Sequence, residues 1–222
     1  MILAGISGLV AGTIHVVSGP DHLAAVAPLA LDTKTGAWKI GLRWGFGHAS
    51  GVIVIGLLSV LLREILPIDL LSGWAERFVG IILIGIGLWG FRRAYYAHVH
   101  EHPHEHNSSS HSHLHLHFDK DHHEEKPHVH THTAFAIGTL HGLAGSSHFL
   151  GILPALAFPS QIHSAIYLLS YGIGTIAAMV VFSGAIGELS KRYAYATFRF
   201  YKYSMGILSL IAIGVGIIWI FR

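Results

Sequence analysis

The chain has 222 residues, 52% of them hydrophobic and only 12% charged, with a mean hydropathy of +0.53; these values lie far from a soluble globular domain and describe an integral membrane protein. Its formal net charge of +2 is carried by short basic clusters that read as topology signals and imply no nucleic-acid partner. With no cysteine and only Met1, Met179 and Met205, disulfides and thiolate ligands are excluded and a soft-ligand Cu(I) site is not expected.

The opening residues MILAGISGLVAGTIH lack the basic start of a secretory signal, so they are expected to remain as the beginning of a first span. Six apolar segments follow one another at about 2–31, 41–62, 73–91, 134–158, 161–187 and 201–221, most of them near the ~20 residues of a helical span. The fold class expected is therefore an all-α polytopic membrane protein with six transmembrane helices. The first segment is too long for one straight crossing, and Ser18-Gly19-Pro20 at its middle predicts a kink or unwound turn. Beside that break stand His15, Asp21 and His22. Ionisable side chains at membrane depth are expensive and mark a functional site by default.

The second segment carries His48 among small residues, with Gly41 to Gly45 and Gly47 to Gly51 each spaced as GxxxG for close helix approach. After the third comes the one long hydrophilic stretch, 92–133, which holds 14 of the 20 histidines, from His98 to His132. Its low complexity predicts a disordered segment when metal-free. As a chelating arm it would offer several neutral imidazoles to one ion, so acid should empty it.

The fourth segment repeats the first. At an offset of 126 residues Thr13 matches Thr139, His15 matches His141, Gly19 matches Gly145, His22 matches His148 and Pro28 matches Pro154. Asp21 meets Ser147, so only the first half supplies a carboxylate. Gly142, Gly145 and Ser146-Ser147 predict a second bend. The fifth segment keeps Gly172 and Gly174 with Thr175 where His48 stands, and the third and sixth echo each other through Gly80 and Gly206 and through Gly85 to Gly87 and Gly214 to Gly216. His163 falls in the short connection between the fourth and fifth segments and reads as a solvated loop residue. The chain thus divides into a three-helix repeat at 1–93, the His-rich loop at 94–133 and a second repeat at 134–222. Three spans per half is an odd number, which makes the repeat inverted, a recurring architecture of secondary transporters with broken helices at the midplane. Eleven basic residues flank the loops after spans 1, 3 and 5, against Arg63, Arg77 and Arg222 opposite. That bias puts the His-rich loop in the cytoplasm, with both termini outside.

Imidazoles with a single carboxylate suit Ni(II), Co(II) or Zn(II) better than Mg(II) or Ca(II). His48 alone or His141 alone could equally serve as a hydrogen-bonding residue between helices. A membrane metallo-enzyme is the reading from another class, against which stand the lack of an HExxH pattern and of a second intramembrane carboxylate. No GxxxxGK[ST] motif occurs, so ATP coupling would need a separate subunit.

The strings HVVSGPDHLAAVAPLA, GLRWGFGH and TLHGLAGSSH together resemble the nickel/cobalt transporter superfamily, and more closely its UreH-type branch of urease-accessory nickel permeases. The classical members carry His, four residues, then Asp-His; here five residues separate His15 from Asp21, a spacing that suits the UreH-type branch. The resemblance implies that His15, Asp21 and His22 form the metal-recognition motif, with His48, His141 and His148 as companions. It implies transport of Ni(II), or Co(II), across the cell (inner) membrane. Uptake is the direction expected, export of Ni, Co or Zn the alternative, and catalysis is not expected. The ion is cargo rather than a tightly bound cofactor, and a cytoplasmic metallochaperone is a candidate further partner.

Overall fold

The structure is a computed structural model that describes residues 1–33, 36–62, 68–106, 109–118, 129–144, 151, 154–155, 157–158, 160–194 and 198–221. Helix α1 (Ile2–Ser18) is followed directly by α2 (Pro20–Asp32), then α3 (Trp38–Leu62) and α4 (Ile68–Tyr96). Strands β1 (Ala97–His106) and β2 (Ser109–Phe118) lead to α5 (Val129–Leu143), α6 (Gln161–Ala194) and α7 (Phe198–Ile220). Among the described residues, three helices are long and apolar enough to cross a bilayer, within Glu76–Tyr96, Gln161–Tyr193 and Arg199–Ile220, and the bent pair α1/α2 makes a fourth. The protein is a membrane protein. Its outer helix faces carry exposed apolar side chains, such as Ile6, Ile14 and Val17 on α1 and Leu169, Ile173 and Val181 on α6, as lipid contact requires.

The predicted break is present. Gly19 ends α1 and begins α2 in extended conformation, with φ −90° and ψ 99°, and the two axes differ by 72°. Pro20 occupies the first turn of α2, where its missing N–H costs no helical hydrogen bond. At 13 residues α2 is about 20 Å long, too short to span the hydrocarbon core alone. It is buried along nearly its whole length, from Asp21 to Leu31, by small side chains such as Ala24, Ala25, Ala27 and Ala30. An interior half-helix with few large side chains lets α6 and α7 close around it.

Backbones meet backbones where glycines allow it. Gly47 and Gly51 of α3 face the carbonyls of Phe135 and Thr139 on α5, while Gly138 and Gly142 of α5 face those of Trp44 and His48. Gly8 and Gly12 of α1 face Tyr167 and Tyr171 on α6, and Gly174 faces Leu9 in return. In α4 and α7, Gly80 and Gly216 face each other, and Gly87 faces Ser209. A Cβ added to Gly85, Gly206 or Gly214 meets nothing within 4 Å, so the expected echo of Gly80 in Gly206 is not a packing correspondence. The other end of α2 is tied by polar contacts: Arg93 Nε of α4 and Tyr201 Oη of α7 both donate to Asp32 Oδ1, at 3.0 Å and 2.8 Å, and Ser190 Oγ of α6 donates to the Leu31 carbonyl at 2.8 Å.

Two expectations need correction. The His-rich stretch, expected to lack regular structure, contains an antiparallel hairpin in which His98 pairs with His117, His100 with His115, His102 with His113 and His104 with His111. The reason is visible in the sequence: histidine at every second residue is a strand period. His163 is not a loop residue but lies in the first turn of α6, where its N–H donates to Ser160 Oγ at 3.4 Å. The second bend is expected around Gly142, Gly145 and Ser146-Ser147; α5 ends at Leu143, and residues 145–150 lie outside the described residues.

Candidate metal site

The break at Gly19 brings the last turn of α1 against the first turn of α2. His15 closes α1 and Asp21 opens α2, so a helix C-terminus and an N-terminal carboxylate lie beside one another. A Cβ on Gly19 would run into His22 Nδ1 and come within 2.9 Å of Asp21 Oδ1. The glycine is therefore needed for room at the site, because its φ is one any residue adopts.

Four of the six residues singled out from the sequence form a continuous hydrogen-bonded chain. His22 Nε2 lies 3.0 Å from His15 Nε2, His22 Nδ1 lies 3.1 Å from Asp21 Oδ1, and His141 Nε2 lies 2.7 Å from Asp21 Oδ2. His22 thus presents one ring edge to His15 and the other to Asp21, while the carboxylate bridges α2 to α5. His48 of α3 joins by ring contact, stacked on His15 with centroids 5.6 Å apart and edge-on to His22 at 4.9 Å. Asp21, His22, His48 and His141 are all buried, the last two completely, and His15 is half-buried. His148 lies outside the described residues, so the structure brings together five of the six.

Among the described residues there are two groups of three donors, His15 with His22 and His48, and Asp21 with His22 and His141, each with ligand atoms within 4.8 Å of one another. Around a tetrahedral ion with bonds near 2.0–2.1 Å, donors stand about 3.3 Å apart. Hydrogen-bonded pairs at 2.7–3.1 Å need to open by only a few tenths of an ångström to accept one. The donor set of nitrogens with one carboxylate suits a borderline first-row divalent ion.

Sequence reasoning missed the aromatic wall. Trp44, fully buried, stacks on His48 with ring planes 8° apart and centroids 5.0 Å apart, and also abuts His22 and His141 at 5.4 Å and 5.2 Å. Trp219 of α7 closes on His141 at 5.4 Å, and Tyr171 of α6 on His15 at 5.6 Å. The available signal was spacing: Trp44 stands one helical turn before His48, and Tyr171 one turn before Thr175. Thr175 itself is a packing residue, its hydroxyl donating to the Tyr171 carbonyl at 3.0 Å and the Gly12 carbonyl at 3.5 Å. A second carboxylate passed over in the sequence, Glu76, is buried at the start of the apolar window of α4.

The family described as "Cytochrome C biogenesis protein transmembrane region" matches residues 5–215. Urease accessory protein UreH of Bacillus sp. (strain TB-90) is 31% identical over 186 residues, covering 81% of this chain and 74% of that protein. The chain belongs to this transmembrane family and to the UreH-type branch of the nickel/cobalt transporter superfamily. The chloroplast protein FOR GROWTH AND FERTILITY 1 of Arabidopsis thaliana is 34% identical over 212 residues, or 95% of this chain. The chain spans only 57% of that protein's length. A Methanocaldococcus jannaschii protein whose name refers to nickel/cobalt efflux is 30% identical over 100 residues, 44% of this chain and 47% of that one. No solved structure matches the chain.

Proposed function

We propose that this UreH-type protein is a secondary transporter that carries Ni(II), and also Co(II), into the cell through a site made by His15, Asp21, His22, His48, His141 and His148. The observation that carries the reading is the convergence of one carboxylate and four imidazoles from four elements on a broken helix, inside a fold otherwise faced with apolar side chains. Such a cluster has no packing advantage over apolar residues, and breaking it by removing one partner leaves a buried polar group unmatched. The names of the Bacillus and Methanocaldococcus relatives, a urease accessory protein and a nickel/cobalt efflux system, support a nickel or cobalt ion as cargo.

The architecture we propose is six spans as an inverted 3+3 repeat. Its support is that the glycine contacts occur in exchanged pairs. Gly12 meets Tyr171 as Gly138 meets Trp44, Gly174 meets Leu9 as Gly47 meets Phe135, and Gly216 meets Gly80 as Gly87 meets Ser209. Offsets of 126, 127 and 129 residues for the first, second and third helices of each half convert each contact into its counterpart. The basic bias of the loops supports an inner-membrane orientation with the His-rich hairpin in the cytoplasm, where it would receive the ion and pass it to a metallochaperone.

Purified protein in liposomes tests the reading. Nickel crossing the bilayer without turnover of any other substrate is the expected result, and turnover without metal flux would replace the transporter with a metallo-enzyme. Export is the second reading, favoured by the name of the Methanocaldococcus relative.

A further inference from the structure

The two groups of three donors share one residue, His22, whose two ring nitrogens face a member of each. Its Nε2 edge faces His15 at 3.0 Å and its Nδ1 edge faces Asp21 at 3.1 Å, and the group with His15 adds His48 while the group with Asp21 adds His141. A neutral imidazole has one lone pair for a metal; its other nitrogen carries hydrogen. When Nε2 binds an ion, Nδ1–H is left to donate to Asp21, the arrangement in which a carboxylate orients a ligating histidine. When Nδ1 binds an ion, Nε2–H is left to donate to His15. The ring cannot serve both groups at once.

Resting on the transport reading above, we propose that His22 is the pivot of a two-position relay: a shallow position of His15, His22 and His48, and a deep position of Asp21, His22 and His141, occupied in turn by a single ion. The assignment of shallow and deep follows burial. His15 alone of the five is partly exposed, whereas every member of the second group is buried. The shallow position offers three neutral nitrogens and leaves the ion its full charge. The deep position replaces one nitrogen by a carboxylate, which offsets half of that charge where the surroundings solvate it least. His22 stays neutral with one ring proton in either position, on Nδ1 when the ion is shallow and on Nε2 when it is deep. Trp44 packs against His22, His48 and His141 alike and holds the pivot ring between the two positions.

Co(II), whose visible bands report donor type and number, is the probe. Titrated into the detergent-purified protein, it should bind at one ion per chain. His141→Leu should still bind one Co(II), with an all-nitrogen spectrum from the shallow position. His48→Leu should bind one Co(II), with the mixed nitrogen and oxygen spectrum of the deep position. In liposomes each variant should lose flux by roughly 10-fold or more while its affinity falls less, because each keeps one complete position. The relay is overturned if folded variants give the same spectrum, or if either loses Co(II) altogether, as a single five-donor site would. It is also overturned if the wild type binds two ions together, a result that needs no variant to fold. A wild type that binds neither Co(II) nor Ni(II) would instead sink the transport reading on which the relay stands.

Discussion

Asp21 is the residue on which the proposed site turns. Its two oxygens hold His22 and His141, which lie 119 residues apart in the chain, so it bridges the two helices, and on the transport reading it is also the ion's counter-charge. His15→Ala, Asp21→Ala and His22→Ala should each abolish nickel flux in liposomes while leaving a folded, inserted protein by size-exclusion chromatography and circular dichroism. Asp21→Asn is the sharper case, since it keeps the shape and removes the charge; wild-type flux in that variant would show that the carboxylate is not what neutralises the ion. Gly19→Ala tests room rather than charge, because the added methyl meets the His22 ring and the Asp21 carboxylate. Isothermal titration should show nickel affinity lowered by about 10–100-fold, the scale on which misplaced supporting groups act. Trp44→Phe keeps a ring against His48 and should retain most affinity, whereas Trp44→Ala should not.

At the scale of elements, the helices are held by backbone approach, which is how association proceeds where lipid competes with every apolar contact. Gly12→Leu and Gly138→Leu push against carbonyls of α6 and α3 respectively. Each should cost about 1–3 kcal/mol, the range for overpacking, and lower the detergent melting temperature. Gly85→Ala and Gly214→Ala meet no neighbour and should leave it unchanged. If all four variants melt alike, the glycine contacts do not hold the bundle. The half-helix α2 is anchored at its far end by Asp32, whose Oδ1 accepts from both Arg93 and Tyr201. Tyr201→Phe removes one of these bonds, worth about 1 kcal/mol, and should raise protease sensitivity near α2 without altering the Co(II) spectrum.

On the transport reading proposed above, selection and capture belong to different parts of the molecule. A packed intramembrane cluster can impose coordination geometry, while a multi-histidine segment binds through many equivalent imidazoles with little discrimination. Replacing 98–132 by a Gly/Ser linker long enough to join the halves should lower retention of metal and preserve flux in liposomes. The order among Ni, Co and Zn should be unchanged, and an altered order would place the His-rich segment within the selective site. Direction is read in cells: a rise in cell nickel at trace supply marks uptake, and a fall at toxic supply marks export.

Membrane character and the break at Gly19-Pro20 were legible in the residues themselves, because hydrophobic run length, proline and glycine act locally. The candidate ligands were legible for a related reason: His15, Asp21, His22, His48 and His141 are conspicuous wherever an apolar run contains them. Which of them touch was not. That His22 offers its two edges to different groups, and that Asp21 reaches His141 on α5, depend on a 72° turn and on how closely glycine-faced helices approach, quantities set by packing between distant segments. Trp44 escaped notice because an aromatic residue in an apolar helix carries no distinguishing signal until a histidine is found stacked upon it. Gly80 and Gly206 misled by position in sequence, since the packing register of α4 against α7 shifts by three residues from that of the first helices. Local chemistry thus wrote the break and the candidate ligands into the sequence, and only tertiary packing decided which of them lie together.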